Sequence, residues 1–171
     1  MNFQFYLEKL YANKHFIEFR EAEKTAYPCS CFFSVDKKGK DAKQHFDFYI
    51  PETKKLFSFK LESGGEKVPV EMLEDTTPNE IGLNYDFDFK EVEKLLLVKM
   101  EEGKIKGSIE KMLFSLQKVE GKELLVGTVF LSMMGLIQTH IDISEMKVIH
   151  FEKKSFFDMV KISGSAGKGE K

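Results

Sequence analysis

The stretch Leu124 to Lys153, LLVGTVFLSMMGLIQTHIDISEMKVIHFEK, constrains the fold of this chain more than any other. Apolar and polar residues alternate through much of it, and small or polar residues break the runs. That pattern predicts two or three consecutive antiparallel strands, the first apolar on both faces. The segment directly before it carries helical spacing. A helix feeding an antiparallel meander predicts an α+β fold with helices packed on one face of antiparallel sheet.

The N-terminal part predicts the same plan. Residues 3–22 read as one amphipathic helix, with Phe3, Leu7, Leu10, Tyr11, Phe16, Ile17 and Phe19 near helical spacing. Tyr27-Pro28 closes it, because a residue before proline avoids the helical region. In CSCFFSVD, Cys29, Cys31, Phe33 and Val35 alternate onto one face of a strand. A hairpin follows, HFDFYI and KLFSFKL around the loop Pro51–Lys54. Pairing Ile50 with Lys55 sets Phe48 against Phe57 and Phe46 against Phe59, so every Phe falls on one face. Pro51 suits the first central position of the turn. Gly64-Gly65 marks a second turn. Val68, Val70 and Met72 then form a short strand that Pro69 assigns to a sheet edge.

After the loop LEDTTPNEIG, Leu83, Tyr85 and Phe87 alternate as a further strand. Asp88 and Glu91 have the spacing of a helical capping box, and Val92, Leu95, Leu96 and Met100 give that helix its apolar stripe. Ile105, Ile109, Met112, Leu113 and Leu116 predict a second helix that stops near Gly121. In the terminal meander, a turn at Ser144-Glu145 pairs Asp142 with Lys147 as a cross-strand ion pair. Ile141, Ile143, Met146 and Val148 then share the other face. Uniform pairing from there sets His140 against Ile149 and His150 against Thr139, with the two rings on opposite faces. Lys154–Ile162 reads as a short helix. The small, polar tail 163–171 reads as disordered.

These elements predict a single α+β domain over 1–162, with 1–75 and 83–162 as two similar helix-plus-meander halves. The second half is similar in plan to cystatin-like and other small helix-on-meander modules, a plan that many unrelated functions share.

Composition narrows the function classes. The formal net charge is -2 and the pI about 6.1, so no global field draws in nucleic acid or anionic lipid. There are 17 Phe and no Trp, which leaves the aromatic interior to a ring that needs no hydrogen-bond partner. Arg20 is the sole arginine, few for a chain that clamps phosphates or carboxylates bidentately. Abundant Lys and Glu with few amides is a composition found in thermophile proteins. Two cysteines do not make a disulfide framework, so a reducing cytoplasm fits. The N-terminal stretch lacks the basic and apolar regions of a signal peptide. The run 124–137 is too short and too interrupted to span a bilayer.

Candidate sites are few. Cys29 and Cys31 with His45 are zinc-type donors, but there is no CxxC pair, and pairing of the two strands would leave His45 opposite Val35, on the order of 13 Å from the cysteines. Small inert cysteines are the simpler reading. Asp86 and Asp88 are spaced like a catalytic carboxylate pair, but Asp88 already has work as a helix cap. Gln138, His140 and Asp142 share a sheet face with Lys147 across from Asp142, and form the candidate ligand-contact patch. Lys55–Lys60 is partly similar to the aromatic strand of RNA-recognition modules, but Leu56 stands where that motif has glycine.

No phosphate loop, nucleophile elbow or cofactor motif is present. The expectation is therefore a non-catalytic binding or scaffold module that acts through protein–protein contacts or self-association as a dimer, with edge strand Val68–Met72 as one place for another chain to add. The alternative is a small-molecule binder or a weakly marked enzyme with a Phe-walled pocket between helix and sheet. A nucleic-acid binder is disfavoured by the charge balance.

Overall fold

The computed structural model of the chain describes residues 1–72 and 76–155. Its elements in chain order are α1 (Phe3–Tyr11), α2 (Lys14–Ala22), β1 (Tyr27–Asp36), β2 (Lys43–Ile50), β3 (Lys55–Lys60), β4 (Glu66–Val70), α3 (Phe89–Glu102), β5 (Ile109–Val119), β6 (Lys122–Leu131), β7 (Gly135–Asp142) and β8 (Lys147–Ser155). All eight strands form one antiparallel sheet in the order β4-β3-β2-β1-β5-β6-β7-β8. Two four-stranded meanders therefore meet through the β1–β5 pairing, and helix precedes each. The α+β architecture with helices on a meander sheet is as the sequence predicts.

The β2–β3 hairpin has the expected register throughout: Phe46 faces Phe59, Phe48 faces Phe57 and Ile50 faces Lys55. Strand alternation sends these rings toward the helices. Phe3, Phe33, Phe46, Phe59 and Phe114 are fully buried there. Their rings mesh at tilted and edge-on angles, with Phe33 4.9 Å from Phe89 and Phe16 5.1 Å from Phe48. Each such pair adds about 0.5–1.5 kcal/mol beyond burial. This aromatic core occupies the layer between helices and sheet, and a hollow of about 420 Å³ remains at its rim between α2 and β4, with His15, Phe19 and Lys67 in its walls.

Three predicted elements differ. The expected helix over 3–22 is two helices, because Asn13 starts a new one: its side chain accepts from the Phe16 amide at 3.2 Å and its Nδ2 donates to the Gly64 carbonyl at 2.8 Å. An N-cap that also ties to the β3–β4 turn outcompetes helix continuation. The expected helix from Ile105 is strand β5. A bulge between Ile109 and Lys111 inserts one residue, so the buried positions run Ile109, Met112, Phe114, Leu116. The bulge turns a two-residue period into a three-residue gap, which is a helical signature. Leu83, Tyr85 and Phe87 lie in a connector without strand pairing. Its hydrogen bonds run instead from the Ile81 amide to the Pro28 carbonyl at 2.9 Å and from the Gly82 amide to Glu123 at 2.8 Å. Phe87 stacks on Phe3 at 5.1 Å.

The capping box of α3 is present: Asp88 accepts from the Lys90 amide at 2.7 Å, and Glu91 reaches back to the Asp88 amide at 3.3 Å. Lys154 and Ser155 belong to β8. The rest of the expected helix to Ile162, and the tail 163–171, lie outside the described residues. No helix among the described residues is long and apolar enough to cross a membrane.

Candidate functional site

The helices cover one face of the sheet, and the other face carries the candidate patch. One row of that face crosses most of the sheet by direct pairing. His45 on β2 faces Phe32 on β1, Phe32 faces Ser115 on β5, and Ser115 faces Val126 on β6. Val126 faces His140 on β7, and His140 faces His150 on β8. The next row brings Thr128 beside Gln138 and Gln138 beside Glu152.

Together these rows shape a depression of about 300 Å³ whose walls include Phe32, Leu113, Thr128, Gln138 and His140. The sequence-predicted Gln138 and His140 therefore do converge on a hollow. It lies on the face away from the helices, not between helix and sheet. Asp142 and Lys147 do not line it. They stand opposite one another as expected, but among the described residues no ion pair joins them. Asp142 Oδ1 instead accepts from the Ser144 hydroxyl at 2.6 Å and from the Ser144 amide at 3.0 Å. These bonds, the Ser144 hydroxyl foremost, hold the Asp142 carboxyl below its ordinary pKa and close the β7–β8 turn.

His140 and His150 form the correction of most consequence. Uniform pairing from the turn would separate them onto two faces. The register shifts between His140 and Ile141, leaving Ile149 as the extra residue and placing the two imidazoles side by side with centroids 4.9 Å apart. Burial, and then the charge of the facing His150, lower the His140 pKa. That favours the neutral ring, which is both donor and acceptor at neutral pH. The signal missed in the sequence is the bulge: residues 147–151, KVIHF, alternate well enough to hide one insertion.

The structure does not bring Cys29, Cys31 and His45 together as a donor set among the described residues. A bulge between Pro28 and Ser30 takes Cys29 out of the alternation. Cys31 is in the core, whereas Cys29 borders a hollow with Ser30 and Leu56. His45 sits opposite Phe32 rather than Val35 and bonds Glu62 at 2.5 Å. Burial, with Asp47 adding to it, pushes the Cys29 thiol up to about 12, and burial also raises Cys31 well above its ordinary value. Neither is a nucleophile at neutral pH. Among the described residues no three His, Cys, Asp or Glu side chains cluster to enclose a metal.

Asp86 accepts from Asn2 Nδ2 at 3.1 Å while Asp88 caps α3, so the two carboxylates serve separate structural bonds. Phe59 is buried and Phe57 lies under the Lys67 ammonium at 4.9 Å, so neither ring is open to a nucleobase.

A different feature went unnoticed in the sequence: the tight turn Ser132-Met133-Met134 between β6 and β7. Met133 and Met134 both have left-handed backbone, φ 65 and 60, and are 87% and 59% exposed. The turn is clamped at its base, where the Ser132 amide donates to the Ser108 carbonyl at 2.8 Å and the Ser108 amide donates to Ser132 Oγ at 2.9 Å.

No protein-family model, no curated protein and no solved structure matches this chain. A functional reading therefore rests on its own residues.

Proposed function

We propose that this chain is a non-catalytic binding module that acts through protein–protein contacts, with the Met133–Met134 turn as its contact tip. The observation that supports this reading is the pairing of strain with exposure at that turn. Left-handed backbone costs an L-residue roughly 1–2 kcal/mol, and glycine or asparagine adopts it far more readily. Met133, 87% exposed, buries almost nothing inside the fold, and Met134 keeps more than half of its surface exposed, so the fold gains little from the choice. Strain that persists at an exposed, rigidly clamped position is a mark of function. Methionine side chains, flexible and polarizable, suit a contact that adapts to its partner. Exposed Lys104, Lys106 and Lys153 flank this end of the sheet, so the matching surface is an apolar socket with an acidic rim. Two free thiols, both buried, support a reducing compartment such as the cytoplasm.

The test compares the unsubstituted protein with the M133G/M134G variant, each immobilised and exposed to native extract, with thermal unfolding as the control for folding. The reading predicts a variant at least as stable that no longer retains the partner. Equal retention by both proteins overturns it. Sedimentation of both separates the two occupants: self-association gives a concentration-dependent mass that the variant lacks.

A second reading is favoured by one observation, the convergence of Phe32, Gln138 and His140 on the open-face depression. It assigns that hollow to a small molecule. Native mass spectrometry tests it: a bound mass that is lost on denaturation supports it, and a clean mass equal to that of the chain counts against it.

A further inference from the structure

We propose that His140 and His150 form a two-histidine site for a divalent late transition metal (zinc, nickel or copper) that clips edge strand β8 to β7. This inference is independent of the Met133–Met134 contact tip.

Three observations carry it. The first is the bulge. By inserting Ile149, β8 brings His150 opposite His140 and leaves the Ile149 side chain 49% exposed. A bulge that re-aims a side chain at the expense of an apolar neighbour is a feature found beside functional sites.

The second is distance. With metal–nitrogen bonds of about 2.0–2.1 Å, a ring centre about 1.1 Å behind each nitrogen and an N–metal–N angle of about 90–109°, the two ring centres stand about 4.5–5.2 Å apart. The observed separation of 4.9 Å falls within that range, and the rings are inclined at 45° rather than stacked. Imidazole is the ligand these metals share.

The third is the neighbouring row. Glu152 Oε2 lies 3.8 Å from His150 Nε2, and Gln138 stands across from Glu152. Glu152 is thus a negative charge beside the two imidazoles rather than a third ligand, and it is shared with Lys154, whose Nζ is 3.5 Å from the same oxygen. Two protein ligands leave the metal's other positions to water or to a ligand in the adjoining depression. The site is of the open kind.

The test is titration of the chelator-treated full chain with zinc, nickel and copper chlorides, read by calorimetry and by thermal unfolding. The proposal predicts one equivalent bound and a raised unfolding midpoint, since a ligand that binds only the folded state stabilises it. H140Q and H150Q each weaken binding at least about tenfold, because even outer-shell partners of a metal are worth 10–100-fold in affinity. H15Q and H45Q leave binding unchanged. Both proposed ligands are partly exposed, so the variants retain the fold, and unfolding in chelator checks this. A readout that needs no variant is amide broadening by nickel or copper, centred on 138–140 and 150–152. No binding at millimolar metal, broadening centred elsewhere, or binding that survives the H140Q/H150Q double variant overturns the proposal.

Discussion

The ring of Phe114 covers Gly127 across the β5–β6 pairing. A Cβ on Gly127 would stand 2.3 Å from the Phe114 ring and 2.5 Å from the Leu113 carbonyl oxygen. The two residues face one another in the ladder, and Phe114 is fully buried. The glycine is thus the floor on which an aromatic of the core lies, and part of that floor is backbone that cannot move aside.

Gly127→Ala therefore destabilises the protein by about 3 kcal/mol, at the upper end of overpacking costs. Urea unfolding measures it. A change below about 0.5 kcal/mol, the size of an ordinary surface substitution, would mean that the ring has room to shift.

Asp88→Ala removes the side-chain bond to the Lys90 amide and leaves Glu91 without its reciprocal cap. The expected cost is about 1 kcal/mol. Asp88→Asn, which still accepts from the amide, recovers most of it. Thermal unfolding of the two variants distinguishes loss of the cap from loss of the charge.

Met133→Gly raises stability by about 1 kcal/mol, because it relieves left-handed strain and removes a side chain that buries almost nothing. Unfolding in denaturant checks the sign. A loss of stability would mean that the methionine packs within the fold.

His140 carries a pH dependence whose sign follows from its environment. Burial, and then the facing His150, lower its pKa in the folded state. The folded protein therefore binds its proton less readily than the unfolded chain. The associated stability is fully present above the unfolded value of about 6.5 and is lost as pH falls through that value toward the lower folded one. NMR titration of the imidazole places its midpoint below the ordinary histidine value. His140→Gln flattens that part of the stability profile, and an unchanged profile would contradict the assignment.

Legibility in the sequence tracked how many local signals agreed. The β2–β3 register was readable because Phe46, Phe48, Phe57 and Phe59 alternate and Pro51 sets a turn of compatible length. The α3 cap was readable because Asp88 and Glu91 have one geometric use at that spacing. Three of the misreadings share one cause, whereas the offset of His45 from Val35 to Phe32 was set by the length of the β1–β2 loop. Bulges at Ile109–Lys111, at Pro28–Ser30 and at Ile149 each shift the phase of a strand by one residue. The first made β5 look helical, the second took Cys29 off the face of Cys31, and the third hid the meeting of His140 and His150. A one-residue slip moves every later side chain to the other face, and nothing in the local composition announces it. The Met133–Met134 turn was illegible for the opposite reason: its residues contradict their backbone, so propensity points away from it.

The most direct test of the contact-tip account is photo-crosslinking with a photoreactive methionine analogue, followed by mapping of the crosslinked residues. The account predicts that Met133 and Met134 carry the intermolecular crosslinks. The buried Met112 and Met100 should yield intramolecular products alone. Crosslinks spread evenly over the exposed surface, or absent from the turn while another face captures the partner, would contradict it.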